Sequence, residues 1–353
     1  MNIHDILNTL VEKEGSDIHI GVGSPPVLRL NGELTPVEGA PILTAEQTEA
    51  LIFPIMSAEQ KEFVKVNKEL DFGYQFMDKG RFRVNVYHVQ GSLAAVMRLI
   101  PSRIKSLDEL NLPPIFHEFI SYKQGLFLVT GPTGEGKSTT LAALIDEINT
   151  MRAEHILTIE DPVEFVYTAK KSIISQREVN HDTNGWKIAL RSALRQDPDI
   201  VLVGEMRDFE TISAAITIAE TGHLVFATLH TPSAAETIDR IVDVFPAHQQ
   251  SQIRQQLAST IKVIASQRLL PKSGGGRVAA LEIMVANSAI RNLIREAKTH
   301  QIDNVIQTSA AAGMMLIETH MAQLVQKGEI SKENAMKWSF RPKEMERLLN
   351  NAG

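Results

Sequence analysis

A glycine-rich segment that ends in a lysine and hydroxyl residues is the strongest chemical signal in this sequence. It runs Gly131-Pro132-Thr133-Gly134-Glu135-Gly136-Lys137-Ser138-Thr139, between an apolar run and a helical pattern. This is the phosphate-loop pattern, in which glycines let backbone N–H groups turn toward phosphates at the start of a helix. In that pattern Lys137 reaches the β- and γ-phosphates and Ser138 ligates Mg²⁺. Residues 131–139 are therefore predicted to bind a nucleotide with Mg²⁺.

Glu135 is an unusual residue for such a loop, because a carboxylate close to a triphosphate repels it. The repulsion is small when the side chain points to solvent, and this is the orientation that we expect. The alternative is that Glu135 is a regulatory charge.

A first acidic segment, ILTIEDPVEF, spans residues 156–165. Its carboxylates Glu160, Asp161 and Glu164 follow a predicted strand, and the carboxyl ends of parallel strands face the ligand crevice. One of the three can orient or deprotonate the water that attacks the γ-phosphate. The alternative is a solvated acidic turn.

A second acidic segment, DPDIVLVGE, spans residues 197–205 and places Glu205 at the end of another apolar strand. This arrangement is typical of a Walker-B element, whose carboxylate faces the magnesium ion. The alternative is a carboxylate exposed to water, although a charge at the depth of a buried strand needs a partner.

Two histidines, His223 and His230, bracket the apolar strand predicted over residues 224–229. Either can sense or stabilise phosphate charge, and the alternative is ordinary hydrogen-bonded structure at the two strand ends. Zinc is not expected, because two histidines without a third ligand do not form a zinc site.

Three arginines, Arg81, Arg83 and Arg98, lie on predicted strands near the N-terminus. They are either an ordinary solvated strand face or arginine fingers that reach the γ-phosphate bound to the same or a neighbouring subunit.

The periodicity of the chain predicts two kinds of domain. Residues 1–100 alternate short strands and helices, including a hairpin turn at Asn31-Gly32, and form a small α+β domain. Residues 101–125 are a linker. Residues 126–272 alternate apolar strands with helices, which is typical of βαβ units around a parallel sheet. The chain is expected to be mostly helical after Pro246, with one more strand near residues 278–284, and residues 273–353 form a mostly helical region.

Composition excludes several classes of protein. The 353 residues include 43% hydrophobic and 22% charged residues, which is a globular composition. No cysteine is present, so disulfides, thiolate metal sites and cysteine nucleophiles are excluded. A formal net charge of -6 argues against nucleic acid as a partner. Because no apolar run approaches the roughly 20 residues of a membrane helix, the protein is expected to be soluble and cytoplasmic.

Four segments in this order resemble the nucleotide boxes of the secretion-superfamily traffic ATPases: GPTGEGKSTT, ILTIEDPVEF, DPDIVLVGEMRD and TGHLVFATLH. SDIHI, RFRVNVY and MRLIP resemble the N-terminal domain of that family, and AIRNLIRE resembles a signature of its pilus retraction ATPases. The resemblance implies a hexameric ring whose subunits each have a PAS-like N-terminal domain and a RecA-like ATPase core. It also implies Mg²⁺-dependent ATP hydrolysis that powers type IV pilus retraction, and hence twitching motility, by driving pilin disassembly.

The resemblance also implies roles for single residues. Glu164 becomes the catalytic base, Glu205 the Walker-B carboxylate, and His223 and His230 the pair of the histidine box. The resemblance also favours the hypothesis that Arg81, Arg83 and Arg98 are arginine fingers. The implied position is peripheral to the inner membrane, where the ring docks on a platform protein of the pilus machine from the cytoplasmic side.

In the AIRNLIRE segment, helical spacing predicts a buried apolar stripe and an exposed charged face. The buried residues are expected to be Ile290, Leu293 and Ile294, and the exposed ones Arg291, Arg295 and Glu296.

Other functions are compatible with the same boxes. One is an accessory retraction-type paralogue that works with a partner ATPase. Another is a RecA-like DNA translocase, which the acidic balance disfavours. A third is a nucleotide-gated scaffold that scarcely hydrolyses ATP. An extension motor is disfavoured because those relatives carry a four-cysteine motif.

Overall fold

The computed structural model describes residues 2–13, 15–30, 32–100 and 103–351. They divide into two compact units. The first contains the chain up to Arg103 together with Asp161–Val166, and the second contains Ile104–Glu160 and the chain from Tyr167 onward.

The first unit is a mixed α+β structure. Its elements are α1 Ile3–Glu12, β1 Asp17–Ile20, β2 Val27–Leu30, β3 Glu33–Pro36, α2 Ala45–Ile52, a 3₁₀ helix Phe53–Ile55, α3 Ala58–Asn67, β4 Glu69–Phe76, β5 Gly80–Val89 and β6 Ser92–Ile100. The strands form one antiparallel sheet in the order β3-β2-β1-β6-β5-β4. Phe82, Val84 and Val86 are fully buried on one face of β5, as their alternation predicts.

The second unit is an α/β structure followed by helices. Its strands are β7 Gly125–Thr130, β8 His155–Glu160, β9 Ile173–Glu178, β10 Ile200–Val203, β11 Leu224–Leu229, β12 Ile261–Pro271 and β13 Arg277–Val285. Its α-helices are α4 Phe116–Phe119, α5 Lys137–Met151, α6 Trp186–Ala193, α7 Phe209–Glu220, α8 Ala234–Asp243, α9 Ala247–Thr260, α10 Ser288–Arg295, α11 Ile302–Thr308, α12 Ile317–Gln326, α13 Lys332–Trp338 and α14 Pro342–Asn351. Two short 3₁₀ helices span Thr299–Gln301 and Ala310–Ala312.

The sheet of the second unit has the strand order β13-β12-β7-β11-β10-β8-β9. All neighbouring strands are parallel except β12 and β13, which are antiparallel. β7, β10 and β11 are buried along their whole length, which explains why they appear in the sequence as continuous apolar runs. The carboxyl ends of β7, β10 and β11 meet at one edge of the sheet, where parallel α/β sheets bind ligands.

One element of this sheet differs from the sequence-based expectation. The chain was expected to be mostly helical after Pro246, but residues 261–271 form β12, the longest strand of the unit. Val263, Ile264 and Ala265 are buried in succession, and the segment does not alternate apolar with polar residues as a half-buried strand does, so its periodicity does not separate it from a buried helix. Two other expectations involve residues outside the described ones, namely Asn31 of the hairpin turn and residues 101–102 of the linker.

A buried carboxylate lies on β13. Glu282 is 1% exposed, and its Oε1 accepts the N–H of Ala234 at the start of α8 at 2.7 Å. Burial raises the pKa of Glu282 to about 7, and the negative charges of Asp303 and Glu318 act in the same direction. The guanidinium of Arg341 lies 2.5 Å from Asp303 and opposes the rise.

Candidate active site

The phosphate loop connects β7 to α5 and needs glycine at its first position. Gly131 has a φ of 138°, and a Cβ there would lie 2.3 Å from the carbonyl oxygen of Gln267. Gly136 takes a left-handed conformation at the start of α5 and offers no side-chain cap to that helix. The N–H groups at a helix start attract an anion, and the helix dipole favours negative charge at the same place.

Lys137 is held inside this loop. Its side chain is buried, and its Nζ donates to the carbonyl oxygens of Gly131 at 2.7 Å and Pro132 at 2.9 Å. Ser138 follows it in the first turn of α5. An ammonium and a hydroxyl thus stand beside the N–H groups of one helix start, which is the donor arrangement that a phosphate chain requires.

The side chain of Glu135 does not point to solvent, so that expectation is wrong. Its carboxylate accepts the backbone N–H of Leu269 on β12, and its own carbonyl oxygen accepts from Nε2 of Gln267 at 2.6 Å. Glu135 is half-buried as a result. The sequence does not show where the carboxylate of Glu135 points, because the group that donates to it is a backbone N–H 134 residues away.

Glu205 follows β10 and joins two cationic or ionisable side chains. Its Oε1 lies 2.6 Å from Nε2 of His230 and 2.6 Å from Nε of Arg207. Burial raises the pKa of this carboxyl, but the hydrogen bond from Arg207 and the charge of His230 outweigh that effect and hold the pKa below its ordinary value. Nδ1 of His230 lies 3.4 Å from Oγ1 of Thr133, so a chain of polar contacts runs from Glu205 to the phosphate loop.

The structure does not bring His223 to this edge of the sheet within the subunit. His223 precedes β11, whereas His230 follows it, and a strand of six residues is roughly 20 Å long. Nδ1 of His223 instead lies 3.0 Å from Oγ1 of Thr221 and 3.1 Å from the carbonyl oxygen of Ile218, at the end of α7.

The acidic segment after β8 is divided between the two units. Glu160 is the last residue of β8, is 8% exposed, and accepts from Oγ1 of Thr158 at 2.7 Å. Gly204, the neighbour of Glu205 in the chain, lies against the backbone of Glu160, since a Cβ on Gly204 would be 3.3 Å from the Cα of Glu160. Glu164 belongs to the first unit. Glu160 is thus the carboxylate of this segment that shares a unit with the phosphate loop.

Arg81 and Arg83 contact the same inserted segment of the first unit. Nε of Arg81 donates to the carbonyl oxygen of Val163 at 3.1 Å. Arg83 lies with Nη1 at 4.0 Å from Oε1 of Glu164 and with Nη2 at 3.4 Å from Oδ2 of Asp71. The predicted base and one predicted arginine are therefore neighbours in this unit.

Arg98 is directly opposite Arg83 across β5 and β6. Its Nε donates to Oδ1 of Asp17 at 2.8 Å, while 70% of its side chain remains exposed. Burial raises the pKa of Asp17, but hydrogen bonds from Ser16 and Arg98 outweigh it and lower the pKa. Arg98 has an acidic neighbour and an accessible side chain at the same time.

Polar residues that the sequence analysis missed surround the site. Arg207 forms an ion pair with Glu205, and Gln267 on β12 binds the phosphate loop and also accepts from Oγ1 of Thr140 at 2.8 Å. Gln267 is 3% exposed on β12, and a buried amide requires hydrogen-bond partners. This polar residue among apolar ones was the signal in the sequence, but it could be recognised only once residues 261–271 were known to form a strand.

Arg291 of the AIRNLIRE segment is not the exposed charge that was expected. Nη1 lies within hydrogen-bonding distance of the carbonyl oxygens of Ala258 and Ser259, and Nη2 donates to that of Ile261 at 3.0 Å. It therefore caps the end of α9, where helical carbonyls lack partners. Arg295 and Glu296 are exposed, while Ile290 and Ile294 are fully buried as predicted.

The oxygen donors of this edge fit a magnesium ion. Ser138 offers a hydroxyl and Glu205 a carboxylate whose lowered pKa keeps it charged, and Mg²⁺ prefers oxygen ligands supplied together with phosphates. Within the described residues, no cluster of three or more His, Asp or Glu side chains could hold a metal by itself.

A mostly parallel sheet with a phosphate loop at the carboxyl end of β7 and a carboxylate after β10 defines the class of the protein, a RecA-like P-loop ATPase. Comparison with known protein families and structures narrows the class to one family. The profile of the family described as "Type II/IV secretion system protein" matches residues 2–275, and the chain belongs to that family.

Three relatives are similar over most of the chain. The type IV pilus retraction ATPase PilT of Pseudomonas aeruginosa is 49% identical, over 95% of this chain and 97% of its own. A twitching motility protein of Neisseria gonorrhoeae is 49% identical, over 88% of this chain and 83% of its own. A crystal structure of the pilus retraction motor PilT with bound ADP has a TM-score of 0.91 and 47% identity, and covers 98% of this chain and 99% of its own.

These findings confirm the predicted fold class and the resemblance to the traffic ATPases. A membrane-spanning helix is also absent from the described ranges, since none of their helices is both long and apolar enough.

Proposed function

We propose that this protein is a motor that hydrolyses ATP to power retraction of a type IV pilus, and hence twitching motility, by driving pilin disassembly. The observation that carries the proposal is the 49% identity to a retraction ATPase over nearly the full length of both chains. A phosphate loop of the required geometry supports it, because the same chain then has the site that ATP hydrolysis needs.

In the proposed site, backbone N–H groups of the phosphate loop hold the phosphates and Lys137 neutralises the β- and γ-phosphates. Ser138 and Glu205 would hold Mg²⁺, which neutralises charge on the transferred phosphoryl group when it is bound. His230 orients the carboxylate of Glu205 through their 2.6 Å contact. His223 reaches phosphate only through a conformational change or from another subunit.

Glu164 is the proposed base that orients or deprotonates the attacking water, and Arg81, Arg83 and Arg98 are the proposed arginine fingers. The exposure of Arg98 supports its part, because an arginine finger must be free to approach the γ-phosphate. Such contributions from one subunit to the site of the next would couple hydrolysis around a ring.

The proposed assembly is a hexamer with a PAS-like domain over residues 1–100, joined by residues 101–125 to a RecA-like core over residues 126–272 and a C-terminal region over residues 273–353. It would dock on an inner-membrane platform protein from the cytoplasmic side. A paralogous ATPase is a second proposed partner of the ring, and nucleic acid is not a partner in this proposal.

The cellular test is the number of surface pili, counted by electron microscopy in cells that lack this chain. We expect excess pili, corrected by the parent copy but not by a Lys137→Ala copy. Bald cells would indicate extension instead. An unchanged count would favour an accessory paralogue or a DNA motor, and DNA-stimulated ATPase activity that weakens with salt would identify the latter.

The biochemical test compares two carboxylates of one segment. Glu164→Gln is expected to lower the ATPase rate by about 10²-fold or more with little change in ADP affinity. Glu160→Gln is the matched variant in the unit that holds the phosphate loop. If Glu160→Gln abolishes turnover while Glu164→Gln does not, the role of base belongs to Glu160. If the unsubstituted protein does not hydrolyse ATP, the result would instead support a nucleotide-gated scaffold.

A further inference from the structure

The phosphate loop covers a free strand edge. β12 pairs with β7 only as far as Ser266, which lies opposite Thr130, the last residue of β7. Beyond that point β12 continues to Pro271, and its one partner strand in the described part of the chain is β13. Among the residues that the structure describes, no strand therefore lies beside the backbone groups of β12 that face away from β13 after Ser266, and buried backbone groups require partners.

Glu135 supplies the partner of one of these groups. The N–H of Leu269 donates to Oε2 of Glu135 at 2.5 Å, so the carboxylate takes the place that a carbonyl of a neighbouring strand would occupy. A second bond, from Nε2 of Gln267 to the carbonyl oxygen of Glu135 at 2.6 Å, holds the same residue from its backbone side.

The loop and the strand are also in close contact on both sides of Glu135. A Cβ on Gly136 would lie 2.9 Å from Nε2 of Gln267 and 3.3 Å from Cδ1 of Leu269. At Gly131 the corresponding distance to the carbonyl oxygen of Gln267 is 2.3 Å. Gly131 leaves no room for a side chain, and one at Gly136 would have to displace the side-chain ends of Gln267 and Leu269. Glu135 lies between the two glycines, and its side chain reaches past the loop to the strand.

We propose that Glu135 is a positioning residue of the nucleotide site, which fixes the phosphate loop to the free edge of β12 through the N–H of Leu269. Its negative charge is directed at that N–H rather than at the phosphates. A loop that is already ordered loses less conformational freedom when a nucleotide binds, so the contact favours nucleotide affinity. The inference depends on the proposed role of residues 131–139 as the nucleotide site.

Two substitutions separate the hydrogen bond from the charge. Glu135→Gln keeps an oxygen that can accept from Leu269 and removes the charge, whereas Glu135→Ala removes both. Because both variants lack the charge, the difference between them reports the contact alone. Loss of one hydrogen bond to a buried N–H corresponds to about a fivefold to tenfold change in an equilibrium constant.

The experiment measures amide hydrogen exchange at Leu269 by mass spectrometry on the full-length chain, together with ADP affinity and the kcat and KM for ATP. We expect Glu135→Ala to speed exchange at Leu269 by about tenfold and to bind ADP about fivefold more weakly than Glu135→Gln. Exchange at Leu128, in the centre of the same sheet, serves as the internal reference and should not change. The Glu135→Gln variant should restore slow exchange at Leu269.

The inference is overturned if exchange at Leu269 is equally slow in the parent and in Glu135→Ala, or if the two variants bind ADP equally. Faster exchange at Leu128 as well as at Leu269 would mean that the substitution loosens the whole sheet, which also contradicts a local positioning role. A failure of pilus retraction with intact ADP binding would leave this result unaffected, so the two proposals are tested separately.

Discussion

Replacing Glu282 by Gln should remove a pH-dependent loss of stability from the second unit. Burial raises the pKa of Glu282 from its ordinary value of 4.5 to about 7, so the folded unit binds this proton more tightly than the unfolded chain does. The contribution of Glu282 to the free energy of unfolding is therefore fully present below about pH 4.5 and is lost as the pH rises from there through about 7. The interval between these two pKa values corresponds to about 3 kcal/mol of unfolding free energy. A glutamine does not titrate, and its carbonyl can still accept the N–H of Ala234.

Urea unfolding at about pH 5.5 and about pH 8 measures this effect, since about 2 kcal/mol of the total falls between them. Both tryptophans, Trp186 and Trp338, lie in the second unit, so their fluorescence follows the relevant transition. The parent should lose about 2 kcal/mol more than Glu282→Gln between the two conditions. Glu333→Gln, at an exposed site on α13, is the matched control and should behave as the parent does. Equal losses in parent and Glu282→Gln would refute the reasoning.

Two further predictions concern the loop and the segment that precedes it. Gly131→Ala should unfold the second unit at a clearly lower Tm than Gly134→Ala, because a Cβ at residue 131 meets a carbonyl oxygen at 2.3 Å whereas one at residue 134 meets nothing within 4 Å. Gly134→Ala should cost only the left-handed backbone strain of about 1 kcal/mol, and equal Tm values would show that the close contact is not real. His117 has Nε2 at 3.1 Å from Asp108 and Nδ1 at 3.0 Å from Glu147, and these hydrogen bonds raise its pKa. The contacts stabilise the fold below about pH 6.5 and weaken as the pH rises through the raised value, so His117→Asn should lower stability by less than about 1 kcal/mol at pH 6 and leave it unchanged at pH 9. A loss of the same size at both pH values would exclude a charged histidine there.

The sequence predicted those parts of the fold whose signal is local. The apolar runs of β7, β10 and β11 could be recognised as strands because a strand that is buried on both faces has apolar residues in succession rather than alternating with polar ones. The phosphate loop is equally local, because its chemistry requires particular residue types at fixed spacing.

The parts that could not be predicted depend on distant backbone. β12 shares its apolar character with a buried helix, and only its neighbours β7 and β13 make it a strand. The direction of Glu135 follows from the N–H of Leu269, a group that every residue except proline has and that no side-chain pattern reveals. Glu160 and Glu164 are four residues apart yet lie in different units, so their spacing does not indicate which of them shares a unit with the phosphate loop.

The short segment Asp161–Val166 gives the two units an unusual connection. The chain passes between them three times, after Arg103, after Glu160 and after Val166, and the second passage leaves directly from the last residue of β8. A fragment that ended at Arg103 would lose the Val163 carbonyl that Arg81 binds, so the first unit cannot be excised as a continuous piece of chain without damage.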